Sequence, residues 1–319
     1  MTITKFLGNR NRITSCDVLI IEECSTVNNR DMIHVLQKAD YKLLVLVGDS
    51  YQIASIRFGN WFGVARYFIA ESSVFELKVP YRSTDKGLLT LWNRVREMDG
   101  AILEAITRQE YSTKLDSSIF SAAEKDEIIL CLNYDGLYGI NNINRFLQES
   151  NPHIPVSWGI LQYKVDDPIL FNECDRFAPV IYNNMKGRIV GIERRNDGMP
   201  NEEIWFDIEL ETVINEMDAW GKDFELLDNS QTGNSVIRFV VRKTKGVDDD
   251  EDDSNTVVPF QVAYAVSIHK AQGLEYRSVK IVITDEVDEM ITHNIFYTAI
   301  TRAREKLKIY WSPEVENKV

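Results

Sequence analysis

Short apolar runs that end in polar residues recur through the first half of the chain: "DVLIIEE" (17–23), "LLVLVGD" (43–49) and "VFELKV" (74–79). Between them, "NRDMIHVLQKA" and "GNWFGVARYFIA" repeat apolar residues at three- and four-residue spacing. A near-continuous apolar run suits a strand buried on both faces, and the longer period marks one face of a helix. The alternation therefore predicts a parallel sheet covered by helices. "EIILCL" (127–132) followed by "GINNINRFLQES" predicts a further strand–helix unit.

Near residue 155 the pattern changes to short strands: "APVIYN", "GRIVGIE", "EIWFDIELE" and "SVIRFVVRK". Gly187, Gly191, Gly198, Gly221 and Gly233 punctuate them, and "RNDG" is a hairpin-turn candidate. This stretch predicts a small antiparallel β module. Parallel-sheet signals resume with "VKIVIT" (279–284), a helix over 293–304 and "KLKIYW" (306–311). The fold class expected is α/β: one domain interrupted by a β insertion and preceded by part of another, with no internal repeat.

A length of 319 residues suits two or three such modules. With 44% hydrophobic residues, the chain is neither disordered nor a disulfide or collagen-like scaffold. No apolar run approaches the ~18–20 residues that cross a bilayer, and the first residues lack a signal peptide's apolar core. Cys16, Cys24, Cys131 and Cys174 show neither CxxC pairing nor zinc-ligand spacing, so a reducing, cytoplasmic location is expected. The formal charge of −13 at first argues against nucleic acid, whose phosphates are met by Lys and Arg. Yet residues 200–260 carry −11 of it, including the acidic run 248–253, which is expected to be a solvated loop. The remainder is nearly neutral.

Four apolar segments lead into polar clusters, and open parallel sheets bind ligands at strand carboxyl ends. Glu22 and Glu23 could hold Mg²⁺ and orient a water, although adjacent acids at a strand end are common. In "LVGDSYQ", Gly48 permits a sharp exit from the strand, after which Asp49 and Gln52 could reach the same edge. An amide such as Gln52 can bond water and phosphate oxygen together, while a turn with an Asp cap is the plain alternative. "VSIHKAQGLEY" packs Ser267, His269, Lys270, Gln272, Gly273 and Glu275 into nine residues, a density of polar groups no core needs. "NIFYTAITRARE" predicts a helix with Tyr297, Ile300 and Arg304 on one face. Arg302 could neutralise a transferred phosphoryl group or be an ordinary surface arginine.

In this order "IIEECS", "LVGDSYQ", "PYRST", "VSIHKAQGLE" and "YTAITRARE" resemble motifs II to VI of superfamily 1 helicases, most closely the RecD-like branch, over about residues 15–311. The resemblance implies ATP and Mg²⁺ as cofactors, bound between two RecA-like domains, and single-stranded DNA as the partner. It assigns Glu22 to the metal, Glu23 to water activation, and Gln52, Arg82 and Arg302 to the γ-phosphate, with Asp49 beside them. Gly273 and Glu275 would face the nucleotide, and Ser267, His269, Lys270 and Gln272 the strand. It also implies three modules: a partial RecA-like domain (1–80), a second RecA-like domain (81–155 with 259–319), and a β-barrel insertion (156–258) carrying the acidic loop.

Two departures from the family's pattern stand out. Glu22 occupies a position where the family has Asp, which would shift the metal by about one methylene. The chain also contains no G-x-x-x-x-G-K-[ST] phosphate loop, and only 16 residues precede the first strand-like run. The expectation is therefore the carboxy-terminal portion of an ATP-dependent DNA helicase, inactive alone and missing an amino-terminal segment. A natural short protein that lost the loop is the alternative. RNA or RNA–DNA helicases, the UvrD-like branch, and a non-catalytic nucleic-acid-binding or protein-docking module are the rival readings.

Overall fold

Two of the amino-terminal apolar runs pair as a parallel sheet. Strands Thr14–Ile21 and Ala39–Leu46 run side by side from Thr14 opposite Ala39 to Ile21 opposite Leu46. The helix Asn29–Lys38 links them. Asn28 caps it by accepting from Asp31 N at 2.9 Å, and Lys38 in its last turn donates to the carbonyls of Phe6 and Leu7. Met32 and Val35, three apart on the helix, are buried with Ile21, Cys24 and Val27. Beyond the strands, Val47 N donates to Ile21 O at 2.9 Å and Cys24 N to Val47 O at 2.8 Å. Both chain exits are thereby held together at one sheet edge.

The computed structural model describes residues 3–8, 14–55, 59–121, 124–195, 202–227, 233–243, 256–284, 291–312 and 315. They fall into two compact units: Met1–Tyr111 with Asp288–Leu307 and Val319, and Ser112–Val287 with Lys308–Lys318. In the first unit, the helix Lys86–Arg96 is capped by Asp85 and buries Leu88, Leu91, Trp92 and Val95. Trp92 Nε1 donates to the carbonyl of Ile300 at 3.1 Å, tying that helix to the end of His293–Ile300.

In the second unit a five-stranded sheet has the order Ala265–Ser267, Glu127–Cys131, Tyr276–Ile283, the last strand (which enters this unit at Lys308 and ends at Trp311), Ser112–Lys114. Glu127–Cys131 is parallel to both its neighbours, and Ile309–Trp311 is parallel to Ser112–Lys114. Every residue of Glu127–Cys131 is buried, as expected of a central parallel strand. The helix Ile140–Ser150 covers it with Ile140, Ile143 and Leu147. The mixed α/β fold with parallel sheets thus agrees with the sequence reading.

The insertion forms a six-stranded antiparallel sheet in the order Glu225–Leu227, Val236–Arg242, Glu203–Leu210, Lys186–Arg195, Pro168–Phe171, Phe260–Val262. Along Glu203–Leu210, Ile204, Phe206, Ile208 and Leu210 are buried and their neighbours partly exposed, a period of two. Phe171, Phe177, Phe206, Phe239 and Phe260 fill the core, with Phe206 and Phe260 edge-to-face at 4.9 Å. The sheet is open: among the described residues its two outer strands, each of three residues, are not paired with each other.

Several expected elements differ. "VFELKV" is not a strand: after the 3₁₀ turn Glu71–Ser73 it joins no strand ladder among the described residues, although Glu76 pairs with Arg96, and Phe75 and Leu77 are 86% and 90% exposed. "APVIYN" follows the 3₁₀ turn Asp175–Phe177 and is turn rather than strand. The helix expected over 293–304 stops at Ile300, so Tyr297, Ile300 and Arg304 share no continuous helical face. The expected "RNDG" hairpin turn, beyond Arg195, and the expected acidic loop 248–253 lie outside the described residues. All four cysteines are free thiols, and Cys24, Cys131 and Cys174 are buried. No described helix is long and apolar enough to cross a membrane.

Candidate functional site

In the first unit, the paired strand exits place two short segments at one edge. Glu22 and Glu23 follow Ile21 and are exposed. Glu23 has φ 53°, a left-handed conformation that costs a non-glycine residue roughly 1–2 kcal/mol. The cost is met locally, because the Glu23 carbonyl accepts from both Thr26 N (2.9 Å) and Thr26 Oγ1 (2.8 Å). Behind the turn, burial pushes the Cys24 thiol up to about 11, with Glu23 adding to the rise, so Cys24 is inert filling at neutral pH.

Gly48 leaves the second strand where a Cβ would lie 2.9 Å from the Phe62 ring and 3.0 Å from Ser25 N. The requirement there is for space. Asp49 then folds the chain back: Oδ1 accepts from Tyr51 N at 2.9 Å and Oδ2 from Gln52 Nε2 at 3.1 Å, which fixes the Gln52 amide. Ile53 N donates to Thr298 Oγ1 at 2.9 Å, and Asn294 Nδ2 donates to the Gln52 carbonyl at 2.9 Å. Asn294 and Thr298 are four apart on His293–Ile300, so a single helix face holds the loop.

Two arginines complete the cluster. Arg82 Nη1 donates to the Thr301 carbonyl at 2.8 Å. Arg302 is fully buried, donating from Nε to Thr298 O at 2.9 Å and from Nη2 to Thr301 Oγ1 at 3.1 Å. Burial first, and the nearby Arg82 charge second, bring its guanidinium down to about 10, while Glu23 and Asp49 act in the opposite direction. It remains a cation at neutral pH, so the surface-arginine alternative does not hold. Burial, with Asp49 adding to it, raises the Tyr297 hydroxyl to about 12.

The structure therefore brings Glu23, Asp49, Gln52, Arg82 and Arg302 together in one unit, with Glu22 adjacent. Two guanidiniums, hard carboxylate oxygens and an oriented amide are donors suited to a phosphate oxyanion and a divalent cation. Among the described residues no three His, Cys, Asp or Glu side chains cluster as a metal site. Asn294 and Thr298 were missed by the sequence reading, although their four-residue spacing was visible.

The second unit carries the other predicted cluster. Ser267 ends its strand and starts a tight turn: its Oγ accepts from Lys270 N at 3.2 Å and its carbonyl from Ala271 N at 3.1 Å. Gln272 N donates to His269 O at 3.3 Å. Gly273 adopts φ +80° with open space around it, so backbone conformation alone calls for glycine. His269 is exposed, and Gln272 and Lys270 are half-buried. The Lys270 ammonium donates to Gln261 Oε1 at 2.7 Å, and burial lowers its pKa. The Glu275 carbonyl accepts from Lys186 Nζ at 2.9 Å.

Known proteins resemble this chain over most of its length. The profile of the UvrD-like helicase C-terminal domain matches residues 262–310, and that of an AAA domain matches residues 1–116. The RecBCD enzyme subunit RecD of Buchnera aphidicola subsp. Acyrthosiphon pisum is 21% identical, with 96% of this chain and 55% of that protein covered. The human ATP-dependent DNA helicase PIF1 is 23% identical, covering 93% of this chain and 46% of PIF1. The chain thus spans about half the length of these relatives. The crystal structure of Pif1 helicase from Candida albicans shares the fold with a TM-score of 0.56 at 16% identity, over 99% of this chain and 74% of that one. Motif order and these matches together support a superfamily 1 helicase. The RecD and PIF1 relatives narrow the class to its RecD-like kind.

Proposed function

We propose that the chain is the motif-bearing portion of an ATP-dependent DNA helicase that couples ATP hydrolysis to movement on single-stranded DNA. The observation that carries this reading is Arg302, a fully buried guanidinium held beside Arg82, Glu23 and Asp49. A fully buried guanidinium next to a second, half-buried one needs a strong reason, and an incoming phosphate oxyanion is one.

In this reading Glu22 would hold Mg²⁺, and ATP with Mg²⁺ would supply the scissile phosphate and neutralise its oxygens. Asp49 holds the Gln52 amide so that it can bond a water and a phosphate oxygen at once. Glu23 orients the attacking water, and Arg82 and Arg302 neutralise charge that grows on the phosphoryl group. Ser267, His269, Lys270 and Gln272 contact the single strand. The antiparallel insertion, an open sheet among the described residues, takes the place of the barrel expected there, and the modules 1–80, 81–155 with 259–319, and 156–258 are the division this reading gives the chain.

The parent's phosphate loop would lie in an amino-terminal segment. Supporting this, Val18, Ile20 and Leu43 are all about half exposed on the Thr14–Ile21 and Ala39–Leu46 sheet, whereas parallel sheets normally bury both faces. Without that loop's amides and lysine the 319-residue chain should not turn over ATP. The test measures ATP hydrolysis by the chain with single-stranded DNA present, alongside fluorescence-anisotropy binding of DNA and RNA oligomers. Negligible hydrolysis with measurable DNA binding is the expected result. Robust hydrolysis overturns the inactivity, preference for RNA overturns the substrate, and no binding to either leaves the non-catalytic docking module as the better reading.

A further inference from the structure

Two half-hidden ammonium groups fasten the Ser267–Glu275 loop to the antiparallel sheet of the same unit. Lys186, which opens the Lys186–Arg195 strand, has a side chain only 11% exposed. Its Nζ lies 2.7 Å from the Asp126 carboxylate, 2.9 Å from the Glu211 carboxylate and 2.9 Å from the Glu275 carbonyl oxygen. It also sits 4.1 Å from the centroid of the Tyr276 ring. Three N–H donors thus meet three oxygens, and the negative face of the ring takes the remaining side. Asp126 reinforces the tie, since its other oxygen accepts from Arg277 N at 2.9 Å.

The second fastening is Lys270 itself. Its ammonium donates to Gln261 Oε1, and Gln261 belongs to the Phe260–Val262 strand at the edge of the six-stranded sheet. Between the two fastenings stands Gly273 at φ +80°, the point where the loop backbone is least constrained by side-chain sterics. A lysine held in one rotamer gives up side-chain entropy, and a desolvated ammonium is costly unless its donors are matched. Both costs are met here at residues that touch the loop.

We propose that Lys186 and Gln261 are positioning residues: through Glu275–Tyr276 and through Lys270, the antiparallel sheet sets the shape of the loop that presents His269, Gln272 and Gly273. Its functional consequence rests on the assignment of that loop to the single strand, whereas its structural consequence does not. Hydrogen exchange of the full chain separates the two. In Lys186→Met, loss of a charge-assisted hydrogen bond should speed amide exchange over 271–277 by about tenfold. Exchange in the Glu203–Leu210 strand should stay unchanged, and Lys186→Arg should restore part of the protection. Gln261→Ala should speed exchange over 268–272 and leave 275–277 as it was.

In the same variants, affinity for a labelled oligothymidylate strand should fall by roughly three- to tenfold, the share of one lost anchor. Unchanged loop exchange in both variants overturns the proposal, as does uniform acceleration across the whole unit with no return in Lys186→Arg. Should Lys186→Met fail to fold, Gln261→Ala decides alone, and unaltered exchange over 268–272 sinks the idea. If the unmodified chain binds no oligonucleotide, the strand assignment falls while the exchange data still decide the positioning role.

Discussion

Thr298 shows how one hydroxyl can organise a site it does not chemically join. Its Oγ1 accepts from Ile53 N, and its backbone carbonyl accepts from Arg302 Nε, so one residue holds both the Gln52 loop and the buried arginine. Thr298→Val keeps the shape and removes only the acceptor that Ile53 N meets, at a cost of about 1–3 kcal/mol. We expect faster exchange at residues 52–54 and a lower urea midpoint, with Thr298→Ser close to the parent chain. Equal protection of 52–54 in the valine variant would show that the loop is held by Asn294 alone.

Asp167 makes the opposite case, a buried carboxylate whose job is structural. It is fully buried and accepts from Gln148 Nε2, Asn151 Nδ2, Tyr264 Oη and Lys164 N. Burial outweighs those bonds and raises its carboxyl pKa above the ordinary value. A folded pKa above the unfolded one means that the folded state binds the proton more tightly. The contribution of Asp167 is therefore most favourable at acid pH and declines as pH rises from about 4, the unfolded value, through the raised folded one. This runs against the usual acid-destabilisation trend. Asp167→Asn should flatten that component, and it should lower stability at pH 7 by about 2 kcal/mol because an amide nitrogen now faces donors. Urea midpoints of both proteins between pH 4 and 7 provide the check.

At the scale of elements, the hydrophobic period identified those whose partners are close in sequence. "DVLIIEE" and "LLVLVGD" became a parallel pair because "NRDMIHVLQKA" between them has both a helical apolar stripe and a capping Asn28. "VFELKV" carries as good a strand pattern and forms none, since a strand exists only with a neighbouring edge to pair with. Helix endings were equally hard to see. His293–Ile300 stops where Thr301 Oγ1 donates back to the carbonyls of Tyr297 and Thr298, and that turn carries Arg302 inward. Motif content placed Arg302 among the candidates, while its burial came from this helix end.

At the scale of the whole molecule, net charge is a poor guide to partners. Residues 248–253 are six consecutive acids, and removing them takes the formal charge from −13 to −7. Acidic charge anywhere on the chain weakens attraction to phosphates over a Debye length of about 10 Å at 0.1 M salt. Deleting 248–253 should tighten oligonucleotide binding at low salt, with the gain shrinking as salt rises. Weaker binding after the deletion would show that the run has a direct role. Exposed apolar positions give a second molecular-scale signal. Val18, Ile20 and Leu43 on the two-stranded sheet, with Phe75 and Leu77 in the run that forms no strand, are exposed apolar positions of the first unit.

The sequence by itself determined the α/β class, the antiparallel insertion, and which residue types stand at strand ends, because those depend on local period and on motif order. Only the tertiary structure decided that Asn294 and Thr298 hold the Gln52 loop, that Arg302 lies buried near Arg82, and that Lys186 reaches Glu275. Each of these joins residues tens to hundreds of positions apart. Such contacts are set by which elements pack against each other and where a helix ends, and neither is encoded in the spacing of any one segment.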